Sequence, residues 1–281
     1  MSLNDILEAQ ERVQFPVAAH SYRGQIPALI ISDINNSAST AAARVVMQSI
    51  RDTDSQLLPY IVPATTPETL DSDLKLFGLR KSDWSYPSSG EKRIDIKTGL
   101  HLSGYNAKNM DKVISCMVSH MKCWLSVSAH IFPGVILEHD AVFKRKFDAF
   151  KGMTGTEDNK YGLLSSKGII GLNNPRGATR KSAAYFDEVV KSSEISTQLF
   201  SGHKIVDTPW VDDDKYSPQG LAGNSAYYIA PNMAKNLLKK VLEVGLWPND
   251  ALMCKQFFPN QLKQIYPFVT ELQGMKSTTT G

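Results

Sequence analysis

The chain has 281 residues, 42% of them hydrophobic, which is enough to build the core of one large α/β domain or two small ones. A net charge of +3 with a pI of about 8.6 is only mildly basic and does not by itself argue for a polyanionic partner. No apolar run approaches the length of a membrane span, the opening MSLNDILEAQERVQFPVAAH lacks a signal-peptide pattern, and three cysteines without a CxxC argue against a disulfide framework; a cytoplasmic protein with reduced thiols is expected.

In chain order, LNDILEAQERV predicts a leading helix, and residues 1–25 form this helix and a connector. IPALIISDI (26–34) has an apolar centre from Ala28 to Ile31 and reads as a buried parallel strand. NNSAST supplies a turn and an N-cap for the helix AAARVVMQSIRD, and LLPYIVPATT (57–66) is a second strand. Strand, turn, helix and strand open a βαβ unit, whose ligand side is the C-terminal end of its strands. Residues 67–109 are polar and irregular, with SDWSYPSSGEKR the loosest part. Helical periodicity returns over 109–129, where Ile114, Val118, Met121 and Leu125 fall three or four apart on one face. After the strand VILEHD, KRKFDAFKGM is expected to be helical. YGLLSS (161–166) and KGIIGL (167–172) read as short strands, and NNPRGATRKS (173–182) as a basic loop. Residues 207–222 form a loop with three consecutive acids; NSAYYIAP is a strand, and NMAKNLLKKVLEVG a helix closed by Gly245. A further helix starts after Pro248, and the end of the chain, residues 273–281, is a flexible tail.

The stretch PGVILEHDAVF (133–143) sets two acids and a histidine between apolar flanks, where an unpaired charge is costly. Residues two apart share a side of an extended chain, so Glu138 and Asp140 can face one site while His139 points elsewhere unless the strand has ended. Carboxylates at a strand end can hold a divalent cation against a diphosphate. The plainer reading is a polar strand end with a helix-capping acid.

Four motifs occur in sequence: SCMVSHMKCW (with Cys116, Ser119, His120 and Trp124), ILEHD, AYYIAPNMAKNLL and WPNDALM (with Pro248 and Asp250). ISDINNSASTAAARVV, with Arg44, precedes them, followed by VPA at 62–64. This ordered set, spanning roughly residues 26–270, resembles glycosyltransferase family 25, the group containing bacterial lipooligosaccharide galactosyltransferases and collagen-modifying transferases. Two positions depart from its pattern: Ser115 stands where the family usually has glycine, and His139 replaces the middle acid of E-D-D. Some viral glycosyltransferases that modify hydroxymethylated DNA bases offer a second comparison.

The resemblance implies an α/β fold with a GT-A-like (Rossmann-like), mostly parallel central sheet flanked by helices, over residues 26–272. It implies a metal-dependent, inverting transfer from a nucleotide sugar, with UDP the expected nucleotide, to a hydroxyl of a glycan or a hydroxylated protein; the viral comparison offers a hydroxymethylated DNA base instead, toward which the basic loop tilts the reading slightly. Glu138, His139 and Asp140 are the metal candidates, with Mn or Mg as the ion, and the imidazole tilts the choice toward Mn. Arg44, Ser32, Ser119, His120, Glu138 and Asp140 are the candidates for donor binding. His120 reads equally as a core histidine, Arg44 as a cation on a solvated face, and Trp124 as packing. Asp250 is the first candidate for general base, against an N-cap role; Asp213, within the Asp212–Asp214 triplet, is the second, against a solvated loop. Arg176, Arg180 and Lys181 are candidate contacts to diphosphate or an anionic acceptor. A nucleotidyltransferase using the same acids, and a sugar-nucleotide-binding protein without catalysis, are the alternative classes.

Overall fold

The computed structural model describes residues 25–104, 107–130, 132–148, 153–154, 168–176, 181–200 and 203–274. The expected leading helix, the strand at 161–166, Arg180 and the end of the tail lie outside these residues.

The βαβ unit forms as its sequence pattern predicts. Strand β1 (Ile26–Ser32) is buried throughout, and helix α1 (Ser37–Asp52) returns the chain to β2 (Leu57–Pro63), which lies parallel to β1. Asn36 starts α1, its side-chain oxygen accepting from the amides of Ala38 and Ser39. The region expected to be irregular contains a short helix, α2 (Leu70–Leu76), and a hairpin of β3 (Lys92–Ile94) and β4 (His101–Ser103). Leu70, Leu74 and Phe77 bury one side of α2, a pattern too brief to stand out among its acids.

Helix α3 (Met110–Ser128) is buried at every residue from Val113 to Ser128 except Cys116, which is half-buried. The predicted apolar stripe is therefore only part of its contact surface, and the polar groups around it need internal partners. Strand β5 (Gly134–Glu138) follows. The helix expected after it is absent from residues 144–148. Ala141–Phe143 form β6, paired with a late strand, and the amides of Lys144 and Phe147 donate to Val269 O and Ser55 Oγ. Those outside acceptors take the place of helical ones.

The rest of the chain is β7 (Met153–Thr154), β8 (Ile169–Gly171), α4 (Ser182–Ile195), β9 (Leu199–Phe200), β10 (His203–Asp207), β11 (Ala226–Ile229), α5 (Pro231–Val244), α6 (Asn249–Leu252), β12 (Leu262–Tyr266) and β13 (Thr270–Leu272). Helix α6 is a single turn, shorter than expected, because an isolated bridge pairs Cys254 with Gly220 just beyond it.

The main sheet has the order β2-β1-β5-β11-β8-β12-β10-β9-β7. Among the described residues six of these nine strands run one way, against β11, β10 and β7. The α/β architecture with a mostly same-direction sheet thus matches the expectation. Alternation sorts the side chains: Ala28, Ile30, Val135 and Leu137 pack with α1, while Leu29, Ile31, Ile136 and Tyr227 pack with α3 and α5. Glu138 is two residues beyond Ile136 and opposite Ile31, so its side chain emerges on the α3 side, at the C-terminal ends of β1 and β5. No helix among the described residues is long and apolar enough to cross a membrane.

Candidate active site at the end of the fifth strand

Helix α3 brings His120 under Glu138. His120 is 1% exposed, and its Nε2 lies 3.6 Å from Glu138 Oε1, without a hydrogen-bond partner. The other ring nitrogen, Nδ1, is 2.8 Å from Tyr227 Oη, and the two rings stack with centroids 5.8 Å apart. Trp124 Nε1 donates to the same oxygen at 2.8 Å. An indole N–H can only donate, so Tyr227 Oη accepts from Trp124 and is free to donate to, or accept from, His120. Trp124 is thus packing with a fixed polar end, fully buried.

Burial would raise the Glu138 carboxyl, but the His120 ring 3.6 Å away and the charges of His120 and His139 hold it below its usual range. Asp140 moves the other way: burial and the Glu138 charge raise it against the pull of His139. Its Oδ1 is buried with no hydrogen-bond partner. A buried acceptor oxygen beside a second carboxylate is the kind of donor a hard divalent cation takes, but among the described residues His139 does not gather with Glu138 and Asp140 into the expected three-ligand set. His139 acts on both acids through its charge. Its carbonyl accepts from Gln273 Nε2, and the amide of Gln273 donates to Asp140 O, so the segment just after β13 pins the acidic turn.

Asp250 joins this group from α6. Burial raises its carboxyl, and Glu138 adds to the rise while Ala251 N–H and His120 oppose it. It is in electrostatic contact with Tyr86, whose hydroxyl burial pushes up, and with Cys116. Tyr86 comes from the segment read as loosest. Its ring lies 5.3 Å from that of Trp247, and Gly245, at φ 94°, lets the chain pass Ser85 and Asp83, where a Cβ would sit 2.5 Å from Ser85 Oγ. Ser225 O receives the Glu138 amide at 2.7 Å, while Ser225 Oγ, Asn224 Nδ2 and Asn249 Nδ2 are buried without partners.

Other expected residues are placed differently. Ser32 is fully buried, its hydroxyl 3.1 Å from Ser39 Oγ, which leaves it no surface for a donor. Ser119 Oγ accepts from Thr65 N at 2.9 Å and donates to Ser115 O at 2.8 Å, so it anchors the turn after β2. Arg44 is exposed on the outer face of α1. Asp213 is exposed between two anchored neighbours: Asp212 pairs with Lys181 at 2.8 Å and Asp214 with His101 at 2.8 Å. None of the interactions described around Glu138 involves Asp213. Arg176 stacks over Phe186 at 4.0 Å, beside a surface hollow lined by Lys144 and Arg145. Arg180 lies outside the described residues.

Sequence reasoning assigned no role to Cys116, Tyr227, Tyr86 or Gln273. The i, i+4 spacing of Cys116 and His120 was a usable signal for one of them. The others depend on pairings that no local pattern contains.

The family model for glycosyltransferase family 25 (LPS biosynthesis protein) matches residues 64–253, a span that contains α3, the Glu138 turn, Tyr227 and Asp250. No curated protein matches the chain. With a match over more than half of its length, the chain belongs to glycosyltransferase family 25 and is a glycosyltransferase, acting between a sugar donor and an acceptor.

Proposed function

We propose that the protein is a metal-dependent, inverting glycosyltransferase that uses a UDP-sugar and glycosylates a glycan hydroxyl. The observation that carries this reading is the gathering of Glu138, Asp140 and Asp250 at one strand end, with Asp140 Oδ1 buried and unpartnered. A divalent cation, Mn or Mg, held by Glu138 and Asp140 would supply positive charge to the departing diphosphate. Asp250 takes the proton from the acceptor hydroxyl, and its raised carboxyl makes it a stronger base than an ordinary aspartate. His120, fixed by Tyr227, orients Glu138. Tyr86 and Trp247 wall the Asp250 side with aromatic rings and limit the entry of water.

Two features favour a glycan over a DNA acceptor. Lys181 is neutralised by Asp212, which weakens a cationic track for a phosphate backbone. Trp210 and Tyr216, 50% and 49% exposed with Lys255 and Lys215 over their rings, keep exposed aromatic surface for the apolar faces of sugars. The test is transfer from labelled UDP-sugars, with Mn or Mg, to glycan and hydroxymethylated-DNA acceptors. The expected product is a glycan with inverted anomeric configuration and free UDP. Salt-sensitive transfer to DNA would move the acceptor to DNA. Release of inorganic diphosphate would mark a nucleotidyltransferase, and donor binding without turnover an inactive sugar-nucleotide-binding protein.

A further inference from the structure

The site contains a second set of metal-ligating atoms, different from the acid pair that the sequence motif suggests. Cys116 Sγ, His120 Nε2 and a Glu138 carboxylate oxygen all lie within 4.8 Å of one another. His120 Nε2 is buried, partnerless and aimed at Glu138. Two ligands at about 2.0–2.1 Å in a tetrahedral shell stand roughly 3.4 Å apart, close to what His120 and Glu138 already show at 3.6 Å. Cys116 completes the set by a small closure of its side chain, and it is the one residue between Val113 and Ser128 that is not buried. The outer partner is also present: a metal-bound imidazole donates its other N–H, and Tyr227 Oη sits 2.8 Å from Nδ1 to accept it.

The geometry points to a site for one zinc-class cation on Cys116, His120 and Glu138, with its fourth position left to water. Thiolate, imidazole and carboxylate together select a borderline-soft ion over Mg. On binding, the thiol proton leaves to solvent and the sulfur takes the ion as thiolate, with no change of oxidation state. Glu138 serves both this ion and the acid pair. Zinc would therefore compete with the hard cation there, and that consequence alone rests on the transferase reading.

The test is equilibrium dialysis of the full chain with Zn2+ in an excess of Mg2+, together with absorption spectra of the Co2+-loaded protein. One Zn2+ per chain and a near-ultraviolet thiolate-to-cobalt band are expected. Cys116→Ser should weaken Zn2+ at least about tenfold and abolish the band, since a ligand counts for no less than the outer partners whose loss costs 10–100-fold. Asp140→Asn should keep both. Absence of Zn2+ binding, a Co2+ complex without the band, or a band that survives Cys116→Ser overturns the site. Loss of binding in Asp140→Asn as complete as in Cys116→Ser also overturns it, because the ion then belongs to the acid pair. The unaltered protein carries the first two readouts, so a folding defect in a variant does not shield the proposal. A protein that shows the band but transfers no sugar keeps the site and refutes only the proposed reaction.

Discussion

Burial raises the hold of Asp250 on its proton, and the Glu138 charge acts in the same direction. A carboxyl raised in the folded state contributes stability below its unfolded value, and that contribution is lost as pH climbs through the folded value. Above that folded value the ionised Asp250 therefore destabilises the fold that its chemistry requires. Asp250→Asn should lower turnover about a hundredfold or more, the usual scale for a lost general base. The same variant should melt at a higher temperature than the parent at pH 7, with the gap closing as the pH falls below the ordinary aspartate range. Turnover and melting curves across pH check both halves. Tyr227 is the second residue whose role is specific. Tyr227→Phe removes the acceptor of Trp124 Nε1 and the partner of His120 Nδ1, and should cost roughly 1–3 kcal/mol for the buried groups left unpaired. In that background Trp124→Phe should cost less than in the parent, because its indole donor has already lost its acceptor. A double-mutant cycle by denaturant unfolding reads the coupling.

Elements meet the site through a buried polar chain. Asp73 of α2 accepts from Lys122 Nζ of α3 at 2.9 Å and from Thr65 Oγ1 at 2.6 Å, while Ser119 holds the Thr65 amide. The Lys122 side chain is 9% exposed, so it depends on Asp73 for its charge balance. Asp73→Ala should destabilise the protein by about 3–5 kcal/mol, the scale for stranding one partner of a buried pair. Lys122→Met with Asp73→Leu should recover much of the loss, since an apolar pair of similar size removes both charges; urea midpoints distinguish the variants. A short helix that reads as polar loop in the sequence is thus tied into the core by a carboxylate.

At the scale of the whole molecule, the end of the described chain controls the acidic turn near its middle. Gln273 donates from Nε2 to Ala42 O and His139 O, and from its amide to Asp140 O. Gln273→Ala should cost about 1 kcal/mol of stability, the net worth of a typical hydrogen bond. It should also raise the Mn concentration needed for half-maximal transfer by several-fold, with little change in turnover at saturating Mn. A Mn titration of activity, read beside the melting curve, separates the two effects.

Local pattern was enough for β1, α1, β2, α3, β5, β11 and α5, because each buries a face whose period shows in a short window. The resemblance to glycosyltransferase family 25, carried by motifs in a fixed order, put Glu138, Asp140, His120 and Asp250 among the candidates; local pattern alone marked only the acids of 138–140 as unusual between apolar flanks. It missed α2, α4 and β10, and it expected a helix at 144–148. There, partners distant in sequence decide: β13 takes up β6, and Ser55 and Val269 accept the amides that a helix would have used. Only the tertiary structure decided that Ser32 and Ser119 serve packing, that Asp213 stands exposed while Asp250 is half-buried near Glu138, and that Tyr227, Tyr86, Cys116 and Gln273 surround the acids. A residue's neighbours along the chain fix its periodicity, but its ionisation and partners depend on burial and on contacts across the sheet.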